Sequence, residues 1–248
     1  MSSTRKTALV AGLFFIVAFV ASVPAPFALY HAVLHDPRYV LGGSADAGVS
    51  LGALFEVITA IAVIGTAVTL YPIVRRQHHG FALGYVVGRL FEATAILVGV
   101  MSLLAIVTLR HDLAGATGAR AVSLVVAGRS LVAIHDWTFL FGPNLALGPN
   151  TLMLAYLMYR SRLVPRSIAV LGLIGGPAIF AVATAVLFGL TEQVSAWGAL
   201  GALPVFAWEM SLAAYLIVKG FRPAALASPE AEVLEAPEAR PTLAGVTG

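Results

Sequence analysis

The sequence has no cysteine. Disulfides, thiolate metal ligands and cysteine nucleophiles are therefore excluded, and cysteine usage says nothing about redox compartment. Charge is almost as scarce. Only 11% of the 248 residues are Asp, Glu, Lys or Arg, against about 25% in an ordinary soluble domain. Such a chain cannot cover a water-facing surface with polar groups. No glycine-rich phosphate loop follows a strand pattern, and no Gly-x-Ser-x-Gly nucleophile elbow occurs. Nothing in the pattern implies a cofactor.

What is present is long apolar sequence, 59% hydrophobic overall. Six runs, at 8–30, 49–74, 81–109, 131–159, 167–190 and 196–218, reach the ~20 residues needed to cross a bilayer core. The fold class is thus all-α, an integral membrane bundle of about six transmembrane helices. Residues 1–222 form the six-span domain. The Pro-, Ala- and Glu-rich stretch 223–248 reads as a disordered cytoplasmic tail. The first run resembles a signal peptide, but Pro24 and Pro26 make a poor cleavage neighbourhood, so an uncleaved span is expected.

Basic residues sit at the ends of the runs. Arg5, Lys6, Arg75, Arg76, Arg160, Arg162, Arg166, Lys219 and Arg222 fall on one side, and Arg38, Arg110 and Arg120 on the other, with Arg129 at the edge of the fourth run. Nine against three, or four with Arg129, on short loops places both termini in the cytoplasm. The same placement accounts for the sequence pI near 9.4 through membrane orientation, so nucleic acid is not an expected partner. The outer loop at 110–130 is half apolar over 121–127, which suggests a helix lying on the membrane surface before the fourth span.

Three features inside the spans could carry chemistry. Gly-Pro-Asn occurs twice in the fourth run, at 142–144 and 148–150, and Gly175-Gly176-Pro177 interrupts the fifth. Both helices are therefore expected to be broken, with Pro204 weakening the sixth. Either Pro149 begins a half-helix whose amides face a ligand, or the chain merely kinks and the Asn144 and Asn150 side chains satisfy the freed carbonyls. The second feature is buried charge. Arg89 and Glu92 share a helix face, and Glu209 lies at similar depth. A charge at the bilayer centre costs at least ~2.5–3.5 kcal/mol, so these groups should face the bundle interior. Desolvation disfavours an ionised carboxylate, so one of the two is expected to hold a proton at neutral pH. A structural Arg–Glu clamp is the alternative. Third, His135-Asp136 enters the fourth span from outside and suits a proton relay. Added to His31, His35 and Glu56, His135 would instead compose an outward-facing metal site. Phe55-Glu56, Phe91-Glu92 and Trp208-Glu209 repeat an aromatic–Glu pair, from which no internal repeat is inferred. Gly80, Gly84 and Gly88 form a stripe suited to close helix packing, a candidate surface for a homo-oligomer or partner subunit.

The stretch HDWTFLFGPNLALGPNTLMLAYLMYRSRLVPRSIAVLGLIGGP (135–177), with GRLFEA (88–93), resembles the bacterial multi-span proteins grouped as domain-of-unknown-function family 4386. The likeness extends over most of residues 5–220. It implies a bacterial inner-membrane protein of the same span count, and it brings no established reaction, ligand or catalytic residue.

The residues thus point to binding or transport of a small solute, with protons as a coupling ion. Arg89, Glu92, Glu209, Asn144, Asn150, His135 and Asp136 are the candidate binding set. An intramembrane metal-dependent hydrolase built on His31, His35, His135 and Glu56 is the first alternative, and a non-catalytic membrane partner subunit the second.

Overall fold

A computed structural model describes residues 2–42, 46–223 and 226 of the chain. The expected tail, 223–248, lies almost wholly outside them. Helix α1 (Ser3–Ser22) runs into a π-helical turn (Ala25–Leu29), followed by the short α2 (His31–His35) and a 3-10 turn (Tyr39–Leu41). The long helices α3 (Asp46–Val74), α4 (His79–Asp112) and α5 (Gly118–Leu140) come next. A second π-helical turn (Phe141–Ala146) joins α5 to α6 (Leu147–Ser161); α7 (Arg166–Leu187) and α8 (Ala196–Val218) follow. No strand occurs among the described residues. Six helical segments are long and apolar enough to cross a membrane: Ser3–Leu29, Asp46–Val74, His79–Asp112, Gly118–Ser161, Arg166–Leu187 and Ala196–Val218. This is a multi-pass, all-helical membrane protein. In lipid a spanning segment must satisfy its own backbone, which is why apolar sequence of this length becomes helix.

The spans pack in chain order and close into a ring, α1 on α3, α3 on α4, α4 on α6, α6 on α7, α7 on α8, and α8 back on α1. Small residues set the spacing. A Cβ on Gly12 would meet the Ala213 carbonyl at 2.9 Å, which holds the first and sixth spans in backbone contact. A large apolar cluster fills one end of the ring with Phe15, Leu70, Tyr85, Met158, Trp208 and Leu212. A second, at the other end, gathers Tyr30, Tyr39, Val40, Leu103, Ile106 and Leu124.

The expected helix breaks take a different form. The fourth span is bulged, not unwound. Pro143 cannot donate a backbone hydrogen bond, the helix widens to π over Phe141–Ala146, and Asn144 Nδ2 donates to the Phe139 carbonyl at 2.9 Å. The side chain thus supplies a donor the proline lacks, as the kink alternative anticipated for Asn144. No free half-helix N-terminus forms at Pro149, which lies inside α6. The fifth span is not broken at all: α7 continues through Pro177. Gly175 and Gly176 serve instead as contact points. A Cβ on Gly176 would stand 2.7 Å from the Gly148 carbonyl, and one on Gly175 would stand 2.8 Å from the Val205 amide. Glycine is needed there because three helices touch backbone to backbone.

The loop after the fourth span also carries structure. Arg162 adopts φ +57° and ends α6, which turns Leu163 and Val164 into the core, both fully buried. The separate surface helix expected at 121–127 does not form, because Gly118–Leu140 is one continuous helix. Its first half packs through Leu124 onto the second cluster, so tertiary contact holds it in line with the span.

At that end Asp46 Oδ1 accepts hydrogen bonds from Tyr39 Oη at 3.0 Å and Arg110 Nη1 at 2.6 Å. Burial, reinforced by the Asp46 carboxylate, pushes the Tyr39 hydroxyl up to about 12 from its ordinary value of 10. The folded state therefore holds this proton more tightly than the unfolded chain. Its contribution to stability should be complete below about pH 10 and lost as pH rises toward 12. Thermal unfolding followed across that range, wild type against Tyr39→Phe, checks this: the variant should lose less stability over the same window.

Candidate functional site

Arg89 organises the polar interior. It lies ten residues into α4, about 15 Å from that helix's start at ~1.5 Å per residue, and is 3% exposed. Its Nη1 donates to Glu92 Oε2 at 3.1 Å and its Nη2 to Glu209 Oε1 at 2.7 Å. One guanidinium on α4 thus bridges a carboxylate one turn along its own helix and another on α8. The Phe15 and Tyr85 rings lie 5.8 Å and 5.5 Å from the guanidinium carbon, adding cation–π attraction in a desolvated setting. Tyr85 is itself anchored: Thr66 Oγ1 donates to the Val63 carbonyl at 2.7 Å, so the Tyr85 hydroxyl donates to Thr66 at 3.2 Å.

Asn150 joins from α6. Its Nδ2 donates to Glu92 Oε2 at 3.3 Å, and its Oδ1 is buried without a hydrogen-bond partner. The amide reaches Glu92 across Gly88, where a Cβ would collide with Oδ1. Gly84 faces Met153 in the same way, at 2.8 Å from its sulfur. The glycine stripe is therefore occupied within the chain. Gly84 and Gly88 receive the fourth span and are not a free face for a second copy or a partner; Gly80 lies at the exposed start of α4 and meets only His78.

These groups open onto a cavity of about 310 Å³ whose walls come from all six spans. Arg89, Glu92, Glu209 and Asn144 line it, as does Glu56. Glu56 is 8% exposed and accepts a hydrogen bond from Tyr30 Oη at 3.3 Å through Oε2. Ten residues into α3, it stands about 27 Å from that helix's far end at ~1.5 Å per residue, against about 14 Å for Glu209 in α8. The cavity therefore runs from mid-depth toward the boundary of a ~30 Å core on the side where α3 begins.

His135 stands just beyond. It is buried, and borders a space of about 10 Å³ that shares Glu56, Ile96, Phe139 and Pro143 with the larger cavity; that is close to the volume one water needs. Its Nδ1 lies 3.2 Å from Asp136 Oδ1, and the Asp136 side chain is 59% exposed. Asp136 stands about 37 Å from the end of α6 by helical rise, past the hydrocarbon and into the interface.

The three-histidine metal site is not assembled. His31 and His35 stack on each other, ring centroids 4.6 Å apart, at exposed positions. α2 is a single turn, so both rings project from the surface while Tyr30 occupies the place between Glu56 and His135. No group of three or more His, Asp or Glu among the described residues gathers closely enough to hold a metal ion.

Sequence reasoning assigned Glu56 to that metal site and not to the solute set. The signal that would have found it is the recurring aromatic–Glu pair: all three glutamates line one cavity. A family model described as Domain of unknown function (DUF4386) matches residues 10–220, which takes in every span. The chain belongs to the DUF4386 family. The GRLFEA and GPN stretches that carried the resemblance supply Gly88, Arg89, Glu92, Asn144 and Asn150 of this DUF4386 protein, five residues in or beside its polar cluster. No curated protein and no solved structure matches the chain.

Proposed function

We propose that this protein binds a small solute in the cavity above Arg89 and carries it across the membrane, with a carboxyl of the cluster gaining and losing a proton in the cycle. The observation that carries the reading is the convergence of Arg89, Glu92, Glu209 and Glu56 on one cavity reached from all six spans. Ionised, the three carboxylates exceed the one guanidinium, so the cluster favours uptake of positive charge, a proton included. Intramembrane carboxylates arranged around a cavity are the usual parts of proton-coupled transport. The run from exposed Asp136 through His135 to Glu56 supports proton entry from the outer side. The family resemblance and the basic loops support a bacterial inner membrane with both termini cytoplasmic.

The test is proton flux in proteoliposomes under an imposed pH gradient. Glu92→Gln and Glu209→Gln each keep Arg89 paired with one carboxylate, so the fold should survive while flux falls by about tenfold or more. Unchanged flux in both variants refutes the reading.

A further inference from the structure

The cavity's walls restrict what it can hold. Five phenylalanines line it, Phe15, Phe19, Phe27, Phe139 and Phe206, and Phe19 and Phe206 pack ring to ring with centroids 4.9 Å apart. An aromatic ring presents negative charge on its face and so attracts a cation. The ionisable groups point the same way. Arg89 directs Nη1 and Nη2 to two carboxylates, its buried Nε having no acceptor, while Glu209 Oε2 and Glu56 Oε1 have no protein donor among the described residues. Glu56 is more than nine-tenths buried and lines the cavity, so an unneutralised oxygen there is costly unless an occupant or a proton covers it. An anion would meet that surplus negative charge and the negative faces of the rings.

Access favours the same class. Phe19, Phe27 and Phe206 line the cavity and are 37%, 73% and 43% exposed. They belong to the first and sixth spans, so a molecule reaching the cavity between those two spans meets apolar, aromatic surface.

We propose that the occupant is a lipophilic organic cation, a molecule with an apolar or aromatic body and one positive charge, which enters from the lipid between the outer halves of the first and sixth spans. Its charge sits against Glu56, and its body against the phenylalanines on the Glu209 side of the cavity. This rests on the solute reading above and names the substrate class.

The experiment is calorimetric titration of the full-length protein in nanodiscs of zwitterionic lipid with phenyltrimethylammonium, a permanent cation, and with benzenesulfonate, an anion of similar size. Phenyltrimethylammonium should bind saturably and benzenesulfonate should not. Glu56→Gln should weaken cation binding by about tenfold or more, the usual loss when a desolvated charge pair is cut, and Glu209→Gln, which removes a more distant carboxylate already paired with Arg89, should weaken it by less. Phe206→Leu keeps the apolar volume and removes the ring, and should weaken binding by about threefold; its exposed position keeps it clear of core folding. Saturable benzenesulfonate binding in place of the cation overturns the inference, as does cation binding indifferent to all three substitutions or saturable binding of neither ion. In each of those cases the proton-flux assay with Glu92→Gln and Glu209→Gln decides the solute reading separately.

Discussion

Arg89→Met should destabilise the protein by about 3–5 kcal/mol, more than any other single substitution in the polar cluster, because it strands the buried Glu92 and the half-buried Glu209 carboxylates without their shared cation. Glu92 and Glu209 each lie within hydrogen-bond reach of the guanidinium, at 3.1 Å and 2.7 Å. Glu92→Gln or Glu209→Gln removes one attraction but leaves Arg89 paired, so either should cost markedly less. The comparison is read from thermal unfolding in detergent, followed by loss of the monodisperse peak on size exclusion. A triple variant, Arg89→Met with Glu92→Leu and Glu209→Leu, should recover much of the lost stability, since an apolar trio replaces the ions without leaving a charge behind. It should still be inactive in proton flux. Stability and transport are thereby separated. If Arg89→Met is no less stable than Glu92→Gln, the ion cluster does not hold the third and sixth spans together.

Gly88→Ala carries the second large effect. A single methyl there would collide with Asn150, whose Oδ1 lies against the Cβ position. Asn150 cannot retreat without losing its hydrogen bond to Glu92, and both helices are packed along their length. Overpacking of this kind costs about 1–3 kcal/mol, with the broken Asn150–Glu92 bond added at about 1.5–3 kcal/mol for a bond to a charged acceptor. Relief should come from shortening the partner. Gly88→Ala combined with Asn150→Ala should be more stable than Gly88→Ala alone, a coupling that only direct contact produces. Additive effects would place Asn150 elsewhere. Gly80→Ala on the same stripe should be nearly silent, since only the His78 ring lies near it.

These two residues show how far the sequence could be read. Arg89 and Glu92 were legible as partners, because a three-residue spacing on a helix places side chains on one face whatever else the chain does. Glu209 was legible only as an expensive charge that had to find company. Nothing local says that it meets Arg89 across 120 positions. Gly88 read as part of a packing stripe, which is correct, but its partner is an asparagine of the same chain and not a neighbouring molecule. Asn144 was foreseen as a donor to a carbonyl freed near proline. Asn150, in the same Gly-Pro-Asn triplet six residues on, serves Glu92 instead. The two triplets are alike in sequence and differ in outcome because one faces a π-bulge and the other faces the third span.

The sequence alone determined the solvent, the span count and the element type. A chain with so few charges must live in lipid, and lipid permits only structures that satisfy their own backbone, so each apolar run of sufficient length becomes a helix without reference to the rest of the fold. Only the tertiary structure decided which polar groups face one another, that the Gly-Gly-Pro of the fifth span is a contact point and not a break, and that three glutamates on three helices share one cavity. Those outcomes depend on helix rotation and on backbone approach between distant segments. Both are set by the packing of the whole ring, which no local stretch of residues encodes.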